Sequence, residues 1–165
     1  YGRTKLAGER AVLRYPQGYV VRTAWLYGAG GPNFVATMAR LERERDTVDV
    51  VDDERGQPTW TVDLSAQLRL LGERAQGGAA PAGIYNGTNA GGTTWYGLAR
   101  AVFMLLGAEP ERVRPTTTDA LPRPAPRPAW SVLGHDRWAR AGLTPMRDWN
   151  SALQHGLQPV VSALA

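Results

Sequence analysis

At 165 residues, with 43% hydrophobic and 21% charged side chains, the chain is long enough for one real core and too apolar for wholesale disorder. Its net charge of +4 comes from arginines scattered among acids, as in Glu42-Arg43-Glu44-Arg45, which fits solvated surfaces and a small anionic ligand and excludes a nucleic-acid stripe. With no cysteine there are no disulfides or thiolate metal sites, a cytoplasmic setting is expected, and no run of about eighteen apolar residues exists to span a membrane.

The chain opens on Tyr1-Gly2-Arg3-Thr4-Lys5-Leu6-Ala7-Gly8-Glu9. A helix is expected over residues 1–14, with Leu6, Val12 and Leu13 apolar and Pro16 as its stop. Tyr1 and Lys5 then lie on one face, one turn apart. A phenol is a poor acid at neutral pH, and a neighbouring positive charge favours its phenolate. Of the 19 basic residues only Lys5 is lysine, and lysine offers a compact charge where arginine offers a planar fork. A catalytic pair is the stronger reading of this spacing, over an exposed helix pair of no consequence. No cap or glycine-rich phosphate loop precedes these residues, so the chain is expected to be the carboxy-terminal part of a longer protein.

Residues 19–25, rich in β-branched and aromatic side chains, are expected to form one buried strand. The loop Gly28-Ala29-Gly30-Gly31-Pro32-Asn33 follows, then a helix over 33–45 with Phe34, Val35, Met38 and Leu41 at helical spacing, then a strand over 48–51. Strand, Gly-x-Gly, helix, strand and acid imitate a dinucleotide-binding unit. Asn33 at the third glycine position and the missing N–H of Pro32 argue against a pyrophosphate site there. The loop still belongs to the carboxyl edge of the strands, where ligands bind.

A turn-like stretch at 56–61 leads into a helix over 61–76, with Asp63 favouring its positive end. Residues 77–83 connect to a short strand at 83–87. Thr93-Thr94 caps a helix whose stripe Trp95, Leu98, Val102 and Leu105 reads as core. A strand at 113–116 enters a stretch with prolines at 115, 122, 124, 126 and 128, expected as an extended and functional loop. A short helix near 135–140 and a last helix over 147–165, kinked at Pro159, complete the chain. Helices alternating with short strands give an α/β fold: part of a Rossmann-like parallel sheet plus a smaller carboxy-terminal substrate lobe.

His135 and His155 lack the neighbours of a metal centre, and Ser131 and Ser151 lack a nucleophile elbow, so neither metal nor hydrolytic chemistry is expected. Trp25, at a strand end, offers a flat apolar wall with one N–H that suits a sugar face. Arg127, between Pro126 and Pro128, is preorganised for two-point contact with phosphate oxygens.

The Tyr1–Glu9 stretch resembles the catalytic helix of extended short-chain dehydrogenases acting on nucleotide sugars, and within them the dTDP-4-dehydrorhamnose reductase family. Residues 21–28, Asn33-Phe34-Val35 with Thr37-Met38, Val51-Asp52-Asp53 with Gly56, Pro58-Thr59 and Asp63-Leu64, and Arg127-Pro128-Ala129 with Ser131 and Leu133 are similar to the family's later motifs, in the same order. The resemblance implies reduction of the 4-keto group of a dTDP-6-deoxy-4-hexulose by NADPH or NADH. It implies Tyr1 as proton donor, Lys5 as holder of the nicotinamide ribose, so that Tyr1 and Lys5 both face the cofactor, and Trp25, Asn33 and Arg127 as substrate contacts. A dTDP-sugar is the expected partner, with a homodimer expected for the whole protein and oligomeric state otherwise open. A sister epimerase or dehydratase and a non-catalytic binding subunit are the alternatives, and these 165 residues alone are expected to be inactive.

Overall fold

The computed structural model describes residues 1–120, 125 and 127–164. The chain runs through α1 (Gly2–Val12), β1 (Tyr19–Arg22), β2 (Leu26–Tyr27), α2 (Phe34–Glu44), β3 (Val48–Val51), β4 (Arg55–Gly56) and β5 (Thr59–Trp60). It continues through α3 (Thr61–Gln76), β6 (Gly83–Asn86), β7 (Thr93–Thr94), α4 (Trp95–Leu105), β8 (Val113–Thr116), α5 (Asp136–Arg140) and α6 (Trp149–Ser162). Parallel ladders join β1 to β6, β2 to β5 and β3 to β8, and an antiparallel one joins β4 to β7. The fold is α/β, as the alternation of elements implies. Among the described residues its strands form four two-stranded ladders.

Local chemistry explains most boundaries. Asn33, Thr94 and Asp148 accept N–H bonds at the starts of α2, α4 and α6, filling donors that a helix leaves open. Gly18 closes the turn after α1, because a Cβ there would stand 2.2 Å from the Val12 carbonyl oxygen. The helix over 61–76 has the expected bounds.

The larger core packs Val35 and Met38 of α2, Leu98, Val102 and Phe103 of α4, and Leu153, Leu157 and Val160 of α6 around β3 and β8. A second cluster gathers Leu71, Tyr85, Trp138 and Ala141 around β6. Such clusters of close-packed apolar side chains supply most of the drive to fold.

Several expectations need correction. Residues 19–25 are not one buried strand: β1 is half-buried and ends at Arg22, and Trp25 turns the chain through φ +46° before β2. The stretch at 56–61 carries two short strands, β4 and β5. Leu105 is exposed, and Ala99 and Phe103 take its place, so the inward stripe of α4 drifts round the helix. Leu164 is exposed beyond the end of α6, which stops at Ser162 with Pro159 inside it. Residues 121–124 and 126 of the proline-rich stretch lie outside the described residues, as does Ala165.

Candidate active site

Helix α1 buries none of its residues, and Tyr1, at its N-cap, is 95% exposed. The first turn is held by the Lys5 N–H donating to the Tyr1 carbonyl at 3.0 Å and by the Thr4 hydroxyl donating to the same oxygen at 2.8 Å. The Lys5 ammonium sits 5.8 Å from the centre of the Tyr1 ring, as helical spacing requires. One turn further, Glu9 receives both Arg22 Nε (2.8 Å) and an Arg22 terminal nitrogen (2.7 Å), tying α1 to the end of β1. That fork holds the Glu9 carboxyl below the usual carboxylate range and raises Arg22.

Between α1 and the strand ends lies a cleft of about 860 Å³, of the size that takes a small-molecule ligand. Tyr1 and Lys5 line one side, and Trp25, Ser131 and Leu133 the other. Trp25 is strained: a bulky residue with left-handed backbone costs on the order of 1–3 kcal/mol. Its surroundings over-determine it. The Trp25 carbonyl accepts the Thr59 N–H at 3.1 Å, and its ring stacks on Trp95 with centroids 3.6 Å apart and planes 15° apart. Trp95 is itself fixed by donating to Glu54 Oε2 at 3.1 Å and by packing on Phe34. Gly56 lies beneath, where a Cβ would come within 2.6 Å of the Trp25 ring and 2.9 Å of Ser131 Oγ.

The Ser131 and Leu133 part of the same wall is pinned by a polar relay. Ser131 N–H donates to the Arg55 carbonyl, and Arg55 N–H to the Ala129 carbonyl, at 2.8 and 2.7 Å. Buried Gln57 Oε1 accepts both the Leu133 N–H (2.7 Å) and the Thr88 hydroxyl (3.0 Å). His135 Nε2 stands 2.8 Å from that same hydroxyl oxygen, and since Thr88 already donates to Gln57, Nε2 carries the proton. Burial pushes the His135 imidazole below its ordinary value, with Asp136 opposing.

The RmlD substrate binding domain matches residues 1–162. The chain belongs to this family. It is 64% identical over 155 residues to a dTDP-4-dehydrorhamnose reductase of Streptomyces griseus, covering 93% of this chain and 51% of that protein. It is 54% identical over 165 residues to a dTDP-4-keto-6-deoxy-D-glucose reductase of Streptomyces niveus, covering 99% and 55%. The crystal structure of dTDP-4-dehydrorhamnose reductase from Bacillus anthracis in complex with NADP superposes with a TM-score of 0.87 at 33% identity, over 96% of this chain and 54% of that one. The chain spans about half the length of the curated relatives it matches.

In this RmlD-type domain, Tyr1, Lys5 and Trp25 share one cleft. Asn33 and Arg127 do not line it. The Asn33 side chain is engaged within its own loop: Oδ1 accepts the Ala36 N–H, and Nδ2 donates to the Gly28 and Gly31 carbonyls at 2.9 Å each. Arg127 is exposed, with no hydrogen bond or ion pair among the described residues. Asp63 does more than favour a helix end. It is buried, pairs with Arg147 at 2.9 Å and accepts from Asn89 at 2.8 Å, joining the start of α3 to the approach to α6.

Sequence reading alone did not mark Arg22, Gly56 or Ser131 as part of the site. Glu9 stands four residues after Lys5, which draws attention to its charge, but nothing local points from Glu9 to Arg22. Gly56 and Ser131 belong to motifs the resemblance picks out, and their meeting under Trp25 is visible only in three dimensions.

Proposed function

We propose that this chain supplies the carboxy-terminal half of a reductase that converts the 4-keto group of a dTDP-4-keto-6-deoxyhexose to an alcohol, with dTDP-4-dehydrorhamnose as the first candidate substrate. The observation that carries the reading is the Tyr1–Lys5 pair facing Trp25 across one open cleft, in a chain whose 64% identical relative is a dTDP-4-dehydrorhamnose reductase. A 54% identical relative named for dTDP-4-keto-6-deoxy-D-glucose makes that sugar the second candidate.

The residues present fit a nicotinamide cofactor. Lys5 has no ion pair among the described residues and keeps three donors for ribose hydroxyls beside the phenol. When bound, NADPH or NADH would supply the hydride for the carbonyl carbon, with Lys5 holding its ribose. Tyr1 gives its proton to the oxygen that becomes the hydroxyl, and the Lys5 charge favours the phenolate left behind. The Trp25 ring, locked by Trp95 and Gly56, presents a fixed apolar wall to the sugar. Asn33 shapes the neighbouring loop, and Arg127, exposed and without a hydrogen bond or ion pair among the described residues, can serve diphosphate oxygens. We also retain the cytoplasm as the setting, supported by the absence of cysteine.

Mixing the whole protein with reduced cofactor and each keto-sugar tests the reading. One cofactor oxidised per sugar, with an alcohol product by NMR, is expected. A sugar isomerised with no net loss of reduced cofactor would instead mark an epimerase on the same scaffold.

A further inference from the structure

Three pairs in this molecule place a base at one helical position and an acid four residues later: Lys5–Glu9 in α1, Arg40–Glu44 in α2 and Arg69–Glu73 in α3. Arg40 and Glu44 close to 2.6 Å, and Arg69 and Glu73 are likewise joined. Side chains so spaced are neighbours, and opposite charges there attract. Lys5 and Glu9 do not close into an ion pair, and the Lys5 charge is the weakest of the influences on the Glu9 carboxyl, well behind the Arg22 hydrogen bonds. The Glu9 carboxylate has turned instead to Arg22, which grips both of its oxygens at 2.8 and 2.7 Å from the end of β1. The Lys5 ammonium is left facing the Tyr1 ring.

We propose that Arg22 is a positioning residue for Lys5: by holding Glu9 in a two-point ion pair, it keeps that acid from neutralising the ammonium beside Tyr1. The inference rests on the reading that Tyr1 and Lys5 work on the carbonyl. A planar guanidinium suits the task, because its fork meets both carboxylate oxygens where a lysine would meet one at a time. The titratable groups lining the cleft are Tyr1, Lys5 and Glu9 from α1 and Tyr19 and Arg22 from β1, while Trp25, Ser131 and Leu133 on the facing wall carry no charge. Glu9 is therefore the one carboxylate among the lining residues able to cancel Lys5. Its capture by Arg22 also ties α1 to the strand that ends at the cleft.

The sign of the effect follows from the direction of the reaction. In ketone reduction the protonated phenol is the active form, so turnover falls on the alkaline limb of the pH–rate profile. Freeing Glu9 to cancel Lys5 makes the phenol a weaker acid, moving that limb to higher pH and lowering turnover at neutral pH.

The test is that profile, measured on the whole protein for wild type, Arg22→Met, Glu9→Gln and the double variant, with Tyr1→Phe as control. Arg22→Met is expected to raise the limb by about one pH unit and to cut neutral turnover roughly tenfold. Glu9→Gln is expected to leave the limb in place, and the double variant to return it to wild type, a non-additive cycle. A limb unmoved in Arg22→Met would overturn the proposal even if turnover fell, since loss of a mere tether lowers rate without shifting the limb. Equal and opposite shifts in the two single variants would overturn it as well, because they describe two independent fields. Arg22→Gln gives the same readout if Arg22→Met folds poorly. A Tyr1→Phe variant with full turnover would remove the underlying reading itself, which an unmoved limb alone does not.

Discussion

The two sides of the cleft are built in opposite ways. The Trp25 wall is redundant: an aromatic stack, a glycine that admits the ring and a relay from His135 to Leu133 all fix it. The α1 side is joined by charge: the two-point Glu9–Arg22 ion pair ties it to β1. A wall that recognises a sugar gains from rigidity, since a fixed surface loses less freedom on binding. A proton donor has to be aimed, and the Glu9–Arg22 pair helps to hold the helix that carries it. The same contrast orders the expected effects of substitution, all measured on the whole protein.

The largest loss is expected at the buried Asp63–Arg147–Asn89 junction, where Asn89 also accepts the Trp60 N–H next to Thr59. Asp63→Ala removes the partner of Arg147 and one of Asn89's acceptors, costing about 3 kcal/mol in denaturant unfolding because hydrogen bonds to a buried charge are the strong ones. Gly56→Ala follows, at about 2 kcal/mol, because its methyl would meet the Trp25 ring. Its signature is a raised KM for the keto-sugar, and an unchanged KM would show that Trp25 is not a substrate wall.

Next comes a pH effect on the relay. Burial depresses His135, so the folded form favours neutral imidazole. The stability this contributes is complete above about pH 6.5 and is lost as pH falls through the lower folded value. Stability should decline on acidification in wild type, and that component should vanish in His135→Gln. The smallest change is expected for Tyr27→Phe. The Tyr27 hydroxyl is buried with no hydrogen-bond partner among the described residues, and burial pushes its titration far upward. Removing it should leave stability unchanged or raise it, by no more than about 0.5 kcal/mol, because a buried hydroxyl without a partner costs desolvation.

Sequence reading reached what local rules govern. The bounds of α3, the cap at Thr94 and the Tyr1–Lys5 face all follow from periodicity, hydrogen-bonding side chains and helical spacing. It failed where the cause is distant in the chain. Residues 19–25 have the composition of a continuous strand, yet contacts with Thr59 and Trp95 bend Trp25 into left-handed backbone. Asp63 has an adequate local explanation at a helix start, which conceals its pairing with Arg147, 84 residues away. Leu105 fits the helical stripe by spacing, but α4 turns that position towards solvent.

The central claim is that Tyr1 delivers the proton, and it is tested most directly by Tyr1→Phe in the whole protein. The substitution keeps the ring and removes only a hydroxyl, so the melting temperature should change little. Turnover of the keto-sugar with reduced cofactor is predicted to fall roughly 10²–10⁴-fold, the contribution of a positioned acid. Near-normal turnover in that variant would contradict the account.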